Sequence, residues 1–126
     1  MFDEGKPLFV QIAEQVEDQI VDGTLPEETK APSTNELAAF YRINPATAAK
    51  GVNMLVDKDV LYKRRGIGMF VSDGARERVL AERRTAFAER YIAPLIDEAR
   101  KLDLGPDDVA TLIAQYATPS TSSPRP

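Results

Sequence analysis

The sequence predicts a mainly α-helical fold: three short helices closed by a two-stranded β-hairpin, then a small two-helix appendage. Three observations predict it. Apolar residues recur at helical spacing in separate stretches, each bounded by a capping or breaking residue. Two short β-prone runs, Leu61–Lys63 and Met69–Val71, flank a basic, Gly-rich turn. At 126 residues the chain has room for one small domain plus an appendage, and it can bury a core without staples.

The first helix is expected over Pro7–Asp22. Phe9, Ile12, Ala13, Val16 and Ile20 form one apolar stripe, with Glu14, Glu17 and Asp18 on the wet side and Gly23 as the stop. Thr24–Pro32 carries no periodicity and is punctuated by Pro26 and Pro32, so it reads as a loop. A second helix follows over Ser33–Tyr41. Ser33 with Glu36 is a capping box, Leu37, Ala38 and Tyr41 point inward, and Phe40 does so partly.

Only Arg42 and Ile43 separate this helix from a third, Asn44–Asp59, which opens with an Asn cap and a Pro at its first position. Ala48, Val52, Leu55 and Val56 would face the core. Thr47, Lys50, Gly51 and Asn53 fall on the opposite, polar side, where small residues would let another backbone approach. Asp59 stands where the chain must leave the helix, in a left-handed conformation that Asp tolerates. Two short helices joined by so tight a turn are the helix-turn-helix pattern, whose second helix enters a DNA major groove. The hairpin after it, with Arg64-Arg65-Gly66-Ile67-Gly68 at its tip, takes the place of a wing. Its glycines allow close approach to phosphate or a minor-groove floor, and its arginines supply charge.

Composition narrows the function. There is no His and no Cys, so the common nucleophile–base pairs, transition-metal sites and disulfides cannot be built, and no cofactor is expected. The carboxylates are scattered rather than convergent, which argues against an acid–base enzyme. The absence of Cys fits a reducing, cytoplasmic compartment, and no apolar run suggests a membrane span or a leader. Net charge is −4, an unpromising sum for a nucleic-acid binder, but its distribution is uneven. Arg42–Arg65 holds six cations against two anions, whereas Met1–Glu28 holds eight anions against one cation.

Pro32-Ser33 with Glu36-Leu37-Ala38, then Asn44-Pro45-Ala46-Thr47, then Tyr62-Lys63-Arg64-Arg65-Gly66-Ile67-Gly68-Met69-Phe70-Val71 together resemble the winged helix-turn-helix domain of GntR-type bacterial transcription regulators. The resemblance covers about half the chain in motif detail, and the short remainder is similar to the YtrA subfamily of that family. It implies a homodimeric repressor that binds double-stranded DNA. Carried over by position, it implies a DNA-facing set of Ser33, Thr34 and Asn35 at the start of the second helix, Thr47, Lys50 and Asn53 on the third, and Arg64, Arg65, Gly66 and Gly68 in the wing. The chain departs from the family pattern at Ala31 (usually Leu), Asn35 (often Arg) and Lys50 (usually Arg). Lys is a poorer bidentate reader of guanine than Arg. The rival reading is a winged-helix protein-interaction module that has lost DNA binding. The cations of the hairpin tip speak against it.

The expected domains are a DNA-binding unit over residues 1–73, a helical dimerisation unit over 74–117, and a Pro- and Ser-rich tail, 118–126, expected to be disordered. The appendage should begin as a long helix, Ala75–Leu102, capped by Asp73 and interrupted near Arg90–Tyr91 by Pro94. A shorter one follows over Pro106–Ala117. Phe87, Tyr91, Ile92, Leu95, Ile96, Leu112, Ile113 and Tyr116 leave more apolar surface than two helices can bury against each other, so a second copy is the expected partner. A small-molecule effector could occupy the apolar space between protomers, although no residue pattern identifies one.

Overall fold

The computed structural model describes residues 4–118 and divides into two compact units between Arg83 and Arg84. Of the expected tail, all but Thr118 lies outside the described residues. The first unit contains α1 (Leu8–Val21), α2 (Thr34–Tyr41), α3 (Pro45–Asp57), an antiparallel hairpin of β1 (Leu61–Arg64) and β2 (Gly68–Val71), and the first part of α4 (Ala75–Phe87). Its core gathers Ile12, Val16 and Ile20 of α1, Leu37 and Ala38 of α2, and Ala48, Val52 and Leu55 of α3. Val60, Leu61 and Val71 of the hairpin region join them, with Ala75 and Val79 of α4.

Local chemistry explains most boundaries. Gly23, at φ +88°, ends α1. The Ser33 Oγ accepts from the Glu36 amide at 3.0 Å while the Ser33 amide donates to Glu36 Oε1 at 2.8 Å, so both halves of the capping box are made. Arg42 makes the turn into α3 in the left-handed conformation. Asn44 Oδ1 caps α3 by accepting from the Ala46 amide at 2.8 Å. That helix ends two residues earlier than expected, at Asp57, and Asp59 takes up the left-handed turn at φ +61°.

Four expectations are corrected. Gly51 is buried rather than on the polar face of α3: it lies at the α1–α3 crossing, where an added Cβ would meet the Phe9 carbonyl oxygen at 2.8 Å. The backbone it admits belongs to its own domain. Glu17 is not on a wet face but 3% exposed. Its Oε1 accepts from Arg83 of α4 at 3.3 Å, and its Oε2 lies 3.5 Å from the Lys58 ammonium just past α3. Lys58 is partly buried, which works to lower its pKa, but the hydrogen bond from Lys58 to Glu82 and the charges of Glu17 and Glu82 prevail and raise it. Phe40 is 77% exposed, because it sits one position before Tyr41 and is turned off the stripe that α2 buries. Finally, the stretch read as a loop ends in extended backbone. Glu28 and Ala31 donate to Val71 and Met69, and Val71 donates to Thr29, which lays residues 28–31 along β2 as a third edge.

The start of α4 is held from a distance. Glu27, not Asp73, accepts from the Gly74 amide at 2.9 Å and the Arg76 amide at 3.1 Å. These backbone hydrogen bonds, Gly74 first, hold the Glu27 carboxyl below its ordinary value of 4.5. Asp22 and Glu36 are likewise lowered, by hydrogen bonds from Thr24 and Ser33. A carboxyl with a depressed folded pKa adds stability that is complete above the unfolded pKa and lost as pH falls through the folded one. Melting temperature should therefore drop as the solution is acidified below 4.5, and less steeply in Glu27→Gln, which carries no titrating group at this cap. Thermal melts at stepped pH check this. Equal acid slopes in the two proteins would count against it.

The second unit holds the rest of α4, a π-helical turn (Ala88–Ile92), α5 (Ala93–Lys101) and α6 (Pro106–Ala117). The interruption expected near Arg90–Tyr91 takes the form of that π turn. Pro94 has no N–H to donate, and its ring would collide with the Arg90 carbonyl, so the helix widens one turn earlier to absorb the defect. Asp103, at φ +58°, reverses the chain, and Asp108 Oδ2 accepts from the Gly105 amide at 2.9 Å to start α6. Ala99 and Val109 are buried. Phe87, Tyr91, Ile92, Leu95, Leu102, Leu112, Ile113 and Tyr116 are exposed, and Ile96 is half-buried. An apolar groove of about 340 Å³ runs between α5 and α6.

Candidate nucleic-acid interface

Three pieces of the first unit carry the residues selected from the sequence. At the start of α2 the capping box engages the Ser33 and Glu36 amides and, among the described residues, leaves those of Thr34 and Asn35 without an acceptor, as is usual for the first turn of a helix. Ser33 Oγ accepts within the cap, and its own proton remains available to a second acceptor. Free first-turn amides at the positive end of a helix suit a phosphate.

On α3, Thr47, Lys50 and Asn53 recur at three-residue spacing and so share one side of the helix. Lys50 and Asn53 are exposed, and Thr47 is half-buried. The Lys50 ammonium lies 4.7 Å above the Phe9 ring of α1, a cation–π contact that gives the side chain a preferred position. Gly51 is not part of this surface.

In the wing, Arg64 pairs with Gly68 across the strands and lays its guanidinium 4.6 Å above the Phe70 ring. Arg65, Gly66 and Ile67 form the tip, closed by the Ile67 amide donating to the Arg64 carbonyl at 2.9 Å. Gly66, at φ +76°, and Gly68, at φ +140°, hold conformations that residues with a Cβ rarely adopt. Ile67, 54% exposed at the tip, escaped selection because an apolar residue inside a basic turn gives no sign of which way it faces.

The start of α2 and the wing are joined by backbone. Residues 28–31 pair with β2, and Ser33 follows two residues later. The end of α3 is joined to β1 through Val60, whose amide donates to the Leu55 carbonyl at 2.9 Å. One compact unit thus carries the amides of α2, the polar side of α3 and the arginines of the wing. Exposed cations and outward donors of this kind match a polyanion. Arg42, exposed at the turn between α2 and α3, adds a further cation to this unit.

Residues 8–71, just over half of the chain, match the family model for bacterial regulatory proteins of the gntR family. The chain belongs to the GntR family. Members of the GntR family are DNA-binding transcription regulators. Among curated relatives, the HTH-type transcriptional repressor NagR of Bacillus subtilis is 35% identical over 83 residues, which is 66% of this chain and 34% of NagR. The chain thus spans about a third of the length of that relative. The HTH-type transcriptional repressor YtrA of the same organism is 28% identical over 91 residues, 72% of this chain and 70% of YtrA. Among solved structures, a GntR-family transcriptional regulator from Bacteroides thetaiotaomicron superposes with a TM-score of 0.75 at 26% identity, over 86% of this chain and 95% of that one. The likeness therefore runs past the residues of the family model and into the helical appendage. Among the described residues, no helix is long and apolar enough to cross a membrane.

Proposed function

We propose that this GntR-family chain binds an operator duplex as a homodimer and represses transcription from it. The observation that carries the proposal is the presence, in one compact unit, of unengaged amides at the start of α2, an exposed polar side of α3, and a wing tip bearing Arg64 and Arg65. In this reading Ser33, Thr34 and Asn35 fix the protein on phosphates. Thr47, Lys50 and Asn53 reach base edges, and Arg65 with Gly66 enters the minor groove. Dimerisation is supported by the apolar surface of the second unit, where Phe87, Tyr91 and Tyr116 are more than half exposed. A two-fold pair would present two reading helices to successive turns of DNA. The names of NagR and YtrA support repression. The groove between α5 and α6 would give a small apolar effector a place to lodge.

Selection of bound duplexes from a random pool tests this. A palindromic consensus with half-sites about one helical turn apart is expected. Affinity for that consensus should fall on the order of 1,000-fold between 50 and 200 mM salt if six or more phosphates are contacted. A monomer by light scattering, or recovery of no sequence above the starting pool, would refute the proposal.

A further inference from the structure

We propose that Lys30 is a further phosphate-contacting residue of this interface, a cation laid along β2 of the wing from the stretch that leads into α2; the inference rests on the DNA-binding reading above. Lys30 lies in the extended stretch that pairs with β2, opposite Phe70. Its side chain crosses the strand pair at Gly68. A Cβ built on Gly68 would come within 3.0 Å of the Lys30 Cε and 3.8 Å of its Nζ. The bare Cα of Gly68 thus makes room for the lysine stem to lie flat, and the stem fixes where the ammonium sits. Gly68 has one use at the turn, through its φ of +140°, and a second as the bed for this side chain.

The head group is not spent inside the protein. Lys6 is paired with Glu14 at 3.0 Å and Lys58 with Glu82 at 2.9 Å, and Lys50 lies over Phe9. Lys30 is exposed, and among the described residues it takes part in no hydrogen bond or ion pair. Its charge is nonetheless felt at α2. The Glu36 carboxyl is lowered first by its hydrogen bonds with Ser33 and, to a smaller degree, by Lys30. Lys30, Pro32 and Glu36 line one groove. The ammonium therefore stands against Gly68 of the wing and close enough to the first turn of α2 for Glu36 to feel its charge.

A lysine whose stem is already placed loses less rotamer freedom when it engages an anion than a freely moving one. The anion is a backbone phosphate rather than a base edge, because Lys30 is on a sheet edge beside a helix start and not on the reading helix. It went unselected in the sequence because it sits between two prolines in a stretch with no periodicity.

The test uses the full chain, its selected duplex and a scrambled duplex, over 50–200 mM salt. Lys30→Gln should weaken both duplexes by the same factor, several-fold at the lowest salt. The slope of log affinity against log salt should become shallower by about 0.9, the value for one phosphate. Lys30→Arg should restore both, and melting temperature should stay at the parent value in both variants. An unchanged salt slope in Lys30→Gln, with the parent binding normally, overturns the inference and leaves the DNA-binding reading standing. So does weakening confined to the selected duplex, which would make Lys30 a base reader. Weakening with a lowered melting temperature that Lys30→Arg does not reverse also overturns it, because Lys30 would then only support the wing. A parent protein that binds neither duplex defeats the DNA-binding reading itself.

Discussion

Gly51→Val should melt well below the parent protein. A Cβ at this position would stand 2.8 Å from the Phe9 carbonyl oxygen and 3.5 Å from Ile12 Cβ and Cγ2. The first of these is backbone of α1 and cannot swing aside as the end of a flexible side chain would. Accommodation requires α1 and α3 to separate along the crossing that builds most of the core. Overpacking of this kind costs about 1–3 kcal/mol, and each 1 kcal/mol lowers the melting temperature of a domain this size by about 4–8 °C. A fall of roughly 10 °C or more is expected for valine. Alanine makes the sharper test. Helix propensity alone favours Ala over Gly by about 1 kcal/mol. The collision opposes this gain, so Gly51→Ala should also melt below the parent. A higher melting temperature for Gly51→Ala would show that the two helices do not cross so closely.

The double variant Arg64→Ala, Arg65→Ala should lose on the order of 100-fold in operator affinity, corresponding to about 2–3 kcal/mol for two cationic contacts. The two arginines differ in kind. Arg64 is stacked on Phe70 and is held in place before any DNA arrives. Arg65, at the exposed tip next to Gly66, can follow a groove. Fluorescence anisotropy with the selected duplex measures the loss, and a melt separates it from unfolding. The Arg64 stack is worth about 0.5–1 kcal/mol at an exposed site, so the melting temperature should move by only a few degrees. Affinity within about threefold of the parent would take the wing out of the interface and favour the protein-interaction reading.

What the sequence disclosed was whatever is written in neighbouring residues. Ser33 and Glu36 are three apart, and their reciprocal hydrogen bonds follow from that spacing. Asn44-Pro45 opens α3 as such a pair does elsewhere, and Arg65-Gly66-Ile67 closes a hairpin whose strands begin within a residue of where they were expected. What it hid was placed by partners far along the chain. Glu17 reads as a solvated acid because the cations that bury it arrive 41 and 66 residues later. Glu27 caps a helix that starts 48 residues away. Gly51 is the instructive case. It falls three residues after Ala48 and four before Leu55, on the same buried stripe, but a residue with no side chain adds nothing to an apolar pattern. The candidate interface was legible to the same extent. The residues proposed for it from the sequence lie within motifs, whereas Lys30, which is placed by pairing across the sheet, carries no local signal.

The burial of Glu17 limits how this protein can change over generations. Its carboxylate faces Lys58 and Arg83, and the three residues come from separate stretches of chain that meet only in the folded state. Losing either cation leaves the buried Glu17 carboxylate with one partner fewer, whereas replacing the set together by apolar residues does not. Positions 17, 58 and 83 are therefore expected to drift in concert among descendants of this chain, and a lone exchange at one of them should be rare.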